Sequence, residues 1–264
     1  LQKGKRVTVK PNLLMAREPE AATTTHPAVV QAAAAQVTAR GGRAMLCDSP
    51  GSGYPYTAAT LRNLYRQCGM EEAAAHSGAC LNYDLSSREV SLPAGKLIHR
   101  TTLLTPLIDA DGIINLCKLK THVFMGMTGA VKNFFGAVPG LNKAGFHAKL
   151  RDRDLFAQML MDLCDFLQAR LHIMDAVVAM EGDGPGESGR PRPVGWLLCS
   201  EDPVALDYVA CQMIGMQDCP VLQAARKFWD FHPEEVEVVG ATWEELSVPG
   251  FCLPQHREGL LGRA

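Results

Sequence analysis

The chain has 264 residues, of which 47% are hydrophobic and 20% charged, and its formal net charge at pH 7 is −2. This composition excludes an intrinsically disordered chain, and the near-neutral charge argues against a nucleic-acid partner or an acidic membrane partner, which are bound by basic patches. No apolar run approaches the roughly 18 residues that a transmembrane helix requires, so we expect no membrane partner.

The predicted elements alternate between strands and helices. Short apolar runs bounded by turn residues predict strands at residues 5–10, 43–48, 79–84, 89–92, 96–99, 111–116, 171–180 and 194–200. Helical spacing and N-cap signals predict helices at residues 26–40, 58–68, 152–170 and 202–214, with Thr25 as the N-cap of the first. A glycine-rich loop is predicted at 181–193.

This alternation predicts a three-layer α/β fold, in which a mostly parallel sheet has helices on both faces. We expect residues 1–246 to form one α/β domain, undivided or in two lobes, and residues 247–264 to form a C-terminal tail or connector. The chain begins with Leu1 rather than Met, which suggests a processed chain or part of a longer protein.

Nine cysteines are scattered along the chain without a CxxC pair. An odd number of scattered cysteines is typical of free thiols in a reducing compartment, and not of a disulfide framework, a zinc ribbon or an iron–sulfur ligand run. We therefore expect a cytoplasmic location.

The stretch from residue 117 to 150 is rich in Gly, Lys and His and follows a predicted apolar strand, at the edge where open α/β sheets bind ligands. The turn at Thr128 and Gly129 opens a predicted helix whose amides could hold an anion. His122 could be an acid/base group or a metal ligand. The alternative is a solvated basic loop with a core histidine. Positive charge and further donors would come from Lys118, Lys120, Lys132 and Asn133.

Two more polar groups follow the first two strands and reach the same sheet edge if the sheet is parallel. Lys10 and Asn12 come after the first strand, and could form a second anion site with the helix that begins near Thr25. Asp48 ends the second strand before a Gly/Ser loop, which matches neither GxGxxG nor GxxxxGK[ST]. For Lys10, Asn12 and the helix start, the alternative is ordinary turn chemistry with a helix N-cap. For Asp48 and its loop, the alternative is a plain turn.

Two further candidates lie later in the chain. Glu181, in a glycine-rich segment, could transfer protons or bind a cation, although the spacing is not that of a calcium loop. His147 lies 25 positions after His122, and the two could share a transition metal. The alternative for His147 is a surface histidine.

Several segments together resemble the domain of unknown function 362 family. They include VKPNLL, THPAVV, GGRAMLCDSPG, INLCKLKTHVFMGMTGAVKNFFGAVPG, MDAVVAMEGDGPGESGRP and SEDPVALDYVA, within residues 5–215. Members often carry a ferredoxin-like module with two iron–sulfur clusters after this domain. The sequence has no CxxCxxC run, so the clusters would belong to a module or partner outside it. The resemblance implies redox chemistry with electrons from such a module.

A weaker resemblance is to the nickel-pincer lactate racemase family, in which a histidine is followed ten positions later by a lysine in a glycine-rich stretch. His122 and Lys132 have this spacing, and Pro139-Gly140 follows. In that family the lysine carries a pyridine-derived nickel cofactor. The sequence departs from the pattern, with Thr-Gly-Ala in place of Ser-Gly-Gly and without a recognisable upstream histidine pair.

We therefore expect an enzyme domain that binds a small anionic substrate or cofactor at the carboxyl edge of its sheet. His122, Lys132 and Glu181 are the predicted catalytic residues. The expected reaction is redox chemistry linked to an iron–sulfur module or electron-transfer partner. The alternatives are a metal- or cofactor-dependent isomerase and a non-catalytic ligand-binding domain.

Overall fold

A mostly parallel sheet forms the centre of the computed structural model, which describes residues 3–51 and 53–255. Ser52 of the predicted Gly/Ser loop and residues 256–264 of the expected tail lie outside the described residues. The strands are β1 (Arg6–Lys10), β2 (Arg43–Leu46), β3 (Cys80–Leu81), β4 (Ser87–Ser91), β5 (Arg100–Leu104), β6 (Gly112–His122), β7 (Gly126–Met127), β8 (Leu171–Gly182) and β9 (Gly189–Ser200).

Helices connect these strands and cover the sheet. They are α1 (Pro27–Ala39), α2 (Ala58–Gln67), α3 (Met70–Ser77), α4 (Thr105–Ile108), α5 (Gly129–Asn133), α6 (Gly140–Lys149), α7 (Arg153–Leu167), α8 (Pro203–Met213), α9 (Pro220–Phe228) and α10 (Trp243–Leu246). Short 3₁₀ turns occur at Pro19–Ala21, Phe134–Ala137 and Pro233–Glu235. None of the helices in the described part is long and apolar enough to cross a bilayer.

The strand order in the main sheet is β3-β2-β1-β6-β8-β9, and β7 pairs with the end of β6. The pairs β2–β3, β1–β2, β1–β6 and β6–β8 are parallel, whereas β8–β9 and β6–β7 are antiparallel. A separate two-stranded antiparallel ribbon consists of β4 and β5. The predicted α/β class with a mostly parallel sheet is therefore confirmed.

Two hydrophobic clusters lie on the two faces of the sheet, as the alternation of side chains along each strand requires. On β6, Leu116 belongs to the cluster beneath α1, α2 and α3, and its neighbour Cys117 belongs to the cluster beneath α5, α7, α8 and α9. Burial on both faces lets β6 carry apolar side chains toward both clusters, whereas the two valines of β1, Val7 and Val9, both belong to the cluster beneath α1, α2 and α3.

The strand β6 is longer than the sequence predicted. The apolar run ends at Leu116, but the strand continues through Lys118 and Lys120 to His122, which the sequence analysis placed in a loop. The two lysines are buried because each has an acceptor: Lys118 Nζ lies 2.7 Å from a carboxylate oxygen of Asp175. Hydrogen-bonded partners on neighbouring elements make such burial tolerable, and local sequence does not reveal them.

Other predicted boundaries also shift. Residues 96–99 form a turn, and the strand begins only at Arg100. The predicted loop 181–193 is largely strand, because β8 and β9 form a long hairpin. His26, rather than Thr25, caps α1, since its Nδ1 accepts the amide proton of Ala28. The Thr25 hydroxyl instead donates to the carbonyl of Leu116.

The turn at residues 96–98 is held by a buried carboxylate on α7. Both oxygens of Asp162 accept backbone N–H groups, from Lys96 at 2.7 Å and from Leu97 and Ile98 at 2.8 Å. An amide cannot replace this acceptor, because its NH₂ group would face an N–H donor.

We expect Asp162→Asn to lower the free energy of unfolding by about 2–3 kcal/mol, because charge-assisted hydrogen bonds to a buried group are lost. Urea denaturation of the variant measures this loss. The control is Asp154→Asn, at an exposed position in the first turn of the same helix, which should cost a few tenths of a kcal/mol. Equal losses of stability in the two variants would contradict the role of Asp162 in holding the turn at residues 96–98.

Candidate functional site

A cavity of about 1000 Å³ opens at the carboxyl edge of the sheet, beside the ends of β1, β2 and β6. The chain runs from β1 to β2 on one side and from the neighbouring strand β6 to β8 on the other, so the connections leave these two strands in opposite directions. Such switch points are where open α/β sheets bind ligands. The predicted site residues that line the cavity are Asn12, Asp48, Lys120, His122, Thr128, Lys132, Asn133 and His147.

A buried ion pair joins the ends of β1 and β2. Lys10 Nζ lies 2.7 Å from Asp48 Oδ1, and the other carboxylate oxygen accepts the N–H of Leu13 at 2.8 Å. Gly136 packs directly against this pair: a Cβ there would overlap with Asp48 and lie 2.6 Å from Lys10 Nζ. Lys10 therefore lies beneath the cavity and neutralises Asp48 rather than facing a ligand.

A chain of side-chain amides runs from the cavity into the core. Lys120 Nζ donates to Asn12 Oδ1 at 2.7 Å, and the Asn12 amide donates to Asn133 Oδ1 at 2.9 Å. The Asn133 amide donates to Asn115 Oδ1 at 2.7 Å, and the Asn115 amide lies 3.0 Å from His172 Nδ1. Each amide is thus fixed in orientation by the next, which holds the polar wall of the cavity in one arrangement.

The helix α5 carries Lys132 into the cavity and is anchored at its N-terminus by a carboxylate from α8. Asp207 accepts the N–H groups of Ala130 and Val131. Burial raises the pKa of Asp207 to about 7, against the effect of these two hydrogen bonds. Gly129 has φ of +59° and a Cβ there would overlap with the carboxylate, so glycine is required. The amides predicted to hold an external anion are therefore occupied by Asp207.

Lys132 is the cation at the centre of the cavity. In the part of the chain that the structure describes, no hydrogen bond or ion pair engages its ammonium, which lies 5.8 Å from the ring centroid of Phe135. Burial lowers the pKa of Lys132 to about 8. Thr128, which also lines the cavity, is 4% exposed, and its buried hydroxyl has no hydrogen-bond partner among the described residues. An unpaired buried hydroxyl is costly, so both groups call for a ligand.

His122 contributes a hydrogen-bond donor. Its Nδ1 accepts the N–H groups of Phe124 at 3.1 Å and Met125 at 3.3 Å. Burial, together with the charges of Lys132 and Lys120, lowers its pKa well below 6.5, so the imidazole is neutral at pH 7. We assign its single proton to Nε2, because Nδ1 is the acceptor. In this state Nε2 donates a hydrogen bond and has no lone pair for a metal.

The helix α6 contributes Lys143 and His147. Lys143 Nζ donates to the carbonyl of Ser49 at 2.7 Å, to the Ser49 hydroxyl at 2.8 Å and to the carbonyl of Pro50. These acceptors use all three N–H bonds, so the lysine fastens α6 to the loop after β2. Burial lowers the pKa of Lys143 to about 7. The sequence analysis missed this residue, since a single lysine in a helix gives no signal.

The tip of the β8–β9 hairpin, residues 183–188, forms the remaining side of the cavity. At the rim, Arg17 and Glu187 form an exposed ion pair with an N–O distance of 2.8 Å. Gly184 approaches the end of β6 so closely that a Cβ would overlap with the carbonyl of Thr121. Asp183 accepts the N–H of Gln255 at 2.9 Å. The acids of this rim are thus engaged by the protein itself.

Besides Lys10 and Gly129, two predicted site residues lie outside the cavity lining. Lys118 forms its ion pair with Asp175, whose carboxylate also accepts the N–H of His26 at the start of α1. Glu181 pairs with Arg190 at 2.9 Å and accepts the N–H of Cys252 at 2.9 Å. Burial by itself would raise the pKa of Glu181, but these two hydrogen bonds outweigh it and lower the pKa. Its position indicates a role in holding the C-terminal segment.

The donor set of the cavity does not fit a transition metal held by protein ligands. No group of three or more His, Cys, Asp or Glu side chains within residues 3–51 and 53–255 is arranged to hold a metal ion. His147 stacks on Phe156 at a centroid distance of 4.8 Å, and His122 has its Nδ1 engaged by backbone N–H groups. The predicted shared metal site of His122 and His147 therefore has no third protein donor there.

Comparison with known proteins places the chain in a family. A family model described as "Domain of unknown function (DUF362)" matches residues 7–212. The chain belongs to the DUF362 family. The resemblance identified from the sequence motifs is thus confirmed, and the matched residues contain the strands and helices that surround the cavity.

Two individual proteins are similar to this DUF362 chain. Thylakoid-associated protein sll1697 of Synechocystis sp. (strain ATCC 27184 / PCC 6803 / Kazusa) is 32% identical over 262 residues, which are 96% of this chain and 77% of the relative. The lactate racemase apoprotein of Thermoanaerobacterium thermosaccharolyticum aligns with 81% of this chain at a TM-score of 0.48 and 10% identity. The aligned part is 49% of the racemase chain, and a similarity this distant carries no argument about ligand or reaction.

Gly136 provides a test of how tightly the DUF362 site is packed. We expect Gly136→Ala to lower the free energy of unfolding by about 2–4 kcal/mol, because the new methyl group displaces the buried ion pair of Lys10 and Asp48. Thermal and urea unfolding measure the change. The control is Gly145→Ala in α6, where a Cβ meets nothing within 4 Å and where alanine should be neutral or stabilising by up to about 1 kcal/mol. A neutral Gly136→Ala would contradict the close packing.

Proposed function

We propose that this domain is an enzyme that binds a small anionic ligand in the cavity, with the ammonium of Lys132 as its principal electrostatic contact. The observation that carries this proposal is the position of Lys132, in a cavity and without a carboxylate partner in the described part of the chain. A buried ammonium without a counter-ion is costly, and an anionic ligand offsets that cost.

The charge balance of the cavity supports the proposal. Lys120 donates to an amide oxygen and a backbone carbonyl, and Lys143 donates to carbonyls and a hydroxyl, so both have neutral acceptors. The carboxylate of Asp48 is neutralised by Lys10 from below. Three lysine side chains therefore line the cavity without dedicated carboxylates, and burial lowers the pKa of each. An anionic ligand, such as a phosphate ester or a carboxylate, offsets the positive charge that they carry.

The same groups have the chemistry to act on a bound oxyanion. A lysine with a pKa of about 8 exchanges its proton near neutral pH, as a general acid or base requires. The Nε2–H of His122 and the Thr128 hydroxyl supply donors that orient an oxygen atom. We assign proton transfer to Lys132 and hydrogen-bond donation to His122 and Thr128. The redox chemistry expected from the family resemblance stays a prediction.

The first test is to remove the charge of Lys132. We expect Lys132→Met to weaken the binding of sulfate at least tenfold, which corresponds to about 1.4 kcal/mol, measured by isothermal titration calorimetry at constant ionic strength. The control is Lys149→Met, at an exposed position on α6, which should leave the affinity unchanged. Because Lys132→Met removes a desolvated charge, its thermal stability should not fall. Unchanged sulfate affinity in a folded Lys132→Met would sink the proposal.

The second test is the pH dependence of the same binding. Burial lowers the pKa of Lys132 from 10.5 to about 8, so the ammonium is present below that pH and is lost above it. Sulfate keeps its charge between about pH 6 and 10, and we expect its affinity to fall by up to tenfold per pH unit above about pH 8. Lys132→Met should lack this decline. If the sulfate affinity of the wild type and of Lys132→Met falls equally with pH, a group other than Lys132 causes the decline.

A further inference from the structure

One wall of the cavity is aromatic. Phe124, Phe135 and His147 line it, and we call these three residues the aromatic wall. Behind them Phe156, which is fully buried on α7, contacts all three rings at centroid distances of 5.3, 5.3 and 4.8 Å. The three rings are therefore fixed against one buried ring, and together they present a rigid aromatic surface to the cavity.

His147 belongs to this wall as an aromatic ring rather than as a charged group. Its imidazole stacks on Phe156 with an interplanar angle of 19°, and Phe135 stands at 85° to it. Burial, with the charges of Lys132 and Lys143, lowers its pKa to about 4, so it is neutral at pH 7. The neutral, stacked imidazole therefore adds an uncharged ring to the cavity lining.

The cavity is much larger than the anion that its lysines would bind. Its volume of about 1000 Å³ is at the upper end of the roughly 300–1000 Å³ of small-molecule sites, whereas a water molecule takes up about 30 Å³ of liquid. A simple oxyanion of a few atoms would leave most of this space, including the aromatic wall, in contact with water. The cavity can therefore hold a ligand larger than a simple oxyanion, and the part of it beside the aromatic wall suits an apolar group.

The charged and aromatic parts of the cavity are adjacent. The ammonium of Lys132 is 5.8 Å from the centroid of Phe135, and the two residues are three positions apart in the chain. A ligand that contacts both must carry its anionic group close to its apolar part, within a few covalent bonds. A flat ring bearing a phosphate or carboxylate directly has this shape.

We propose that the ligand is an aryl acid, whose ring packs against the aromatic wall while its anionic group binds Lys132, the Thr128 hydroxyl and Nε2–H of His122. This inference rests on the proposed anion-binding function and adds the chemical class of the ligand. It predicts that aromatic anions bind more tightly than aliphatic anions of the same charge.

The test compares phenyl phosphate with methyl phosphate, measured by isothermal titration calorimetry at pH 7 with the full chain. The two probes carry the same head group, so their affinity ratio isolates the ring. We expect phenyl phosphate to bind about 3- to 10-fold more tightly, the range that corresponds to one additional aromatic contact.

Variants of the aromatic wall then show whether its rings cause the tighter binding of phenyl phosphate. Phe135→Leu should reduce the ratio of the two affinities to near one, and His147→Leu is a second variant in case Phe135→Leu fails to fold. The control is Phe228→Leu, a partly exposed phenylalanine on α9 outside the cavity lining, which should keep the full ratio. A ratio unchanged in every folded variant of the aromatic wall would overturn the inference.

The outcomes separate this inference from the proposed function. If both phosphates bind the wild type equally and Lys132→Met abolishes both, the anion site stands and the aryl class is wrong. If Lys132→Met binds both phosphates as the wild type does, the proposed function itself fails, and the inference with it. A tighter phenyl phosphate that depends on both Lys132 and Phe135 is the supporting result.

Discussion

Burial of positive charge at one edge of a parallel sheet is the constraint on which the structure of this site depends. Four lysine side chains, Lys10, Lys120, Lys132 and Lys143, lie there within or beside the cavity, and the buried carboxylate among them is Asp48. Since each ammonium taken out of water needs compensation, the surrounding backbone carbonyls and amides are arranged as acceptors. Lys132 is the one lysine of the four whose ammonium has no hydrogen-bond acceptor in the described structure, and it lines the cavity together with Lys120 and Lys143.

The position of Lys132 depends on residues that no ligand needs to touch. The helix α5 is short, and Asp207 from α8 caps it through two backbone N–H groups. From the other side, Asn133 on the same helix is held by Asn12, which follows β1, and by Asn115, which lies within β6. Because both supports are buried hydrogen bonds, the helix is held in one orientation, and the ammonium is preorganised rather than adjusted on binding.

The cavity combines two chemically different walls. Lys120 and the side-chain amides lie at the strand ends, Lys132 and Lys143 project from α5 and α6, and the aromatic wall packs against Phe156 of α7. In such an arrangement the charged groups hold and orient one end of a ligand, and the apolar surface selects its other end. This division is the physical basis for separating the anion-binding proposal from the aryl-acid inference in experiment.

The sequence by itself determined the layered α/β class, because strand and helix patterns alternate along the chain. It also indicated that polar residues after three of the predicted strands meet, since parallel strands end at one edge. Only the tertiary structure decided which of them face the cavity. Lys118 and Lys120 are two residues apart on β6, yet one pairs with Asp175 and the other lines the cavity. That difference depends on partners distant in the chain. The same holds for Asp207, which binds the α5 amides, and for Lys143, which fastens α6 to the loop after β2. A local pattern of residue types does not encode such partners.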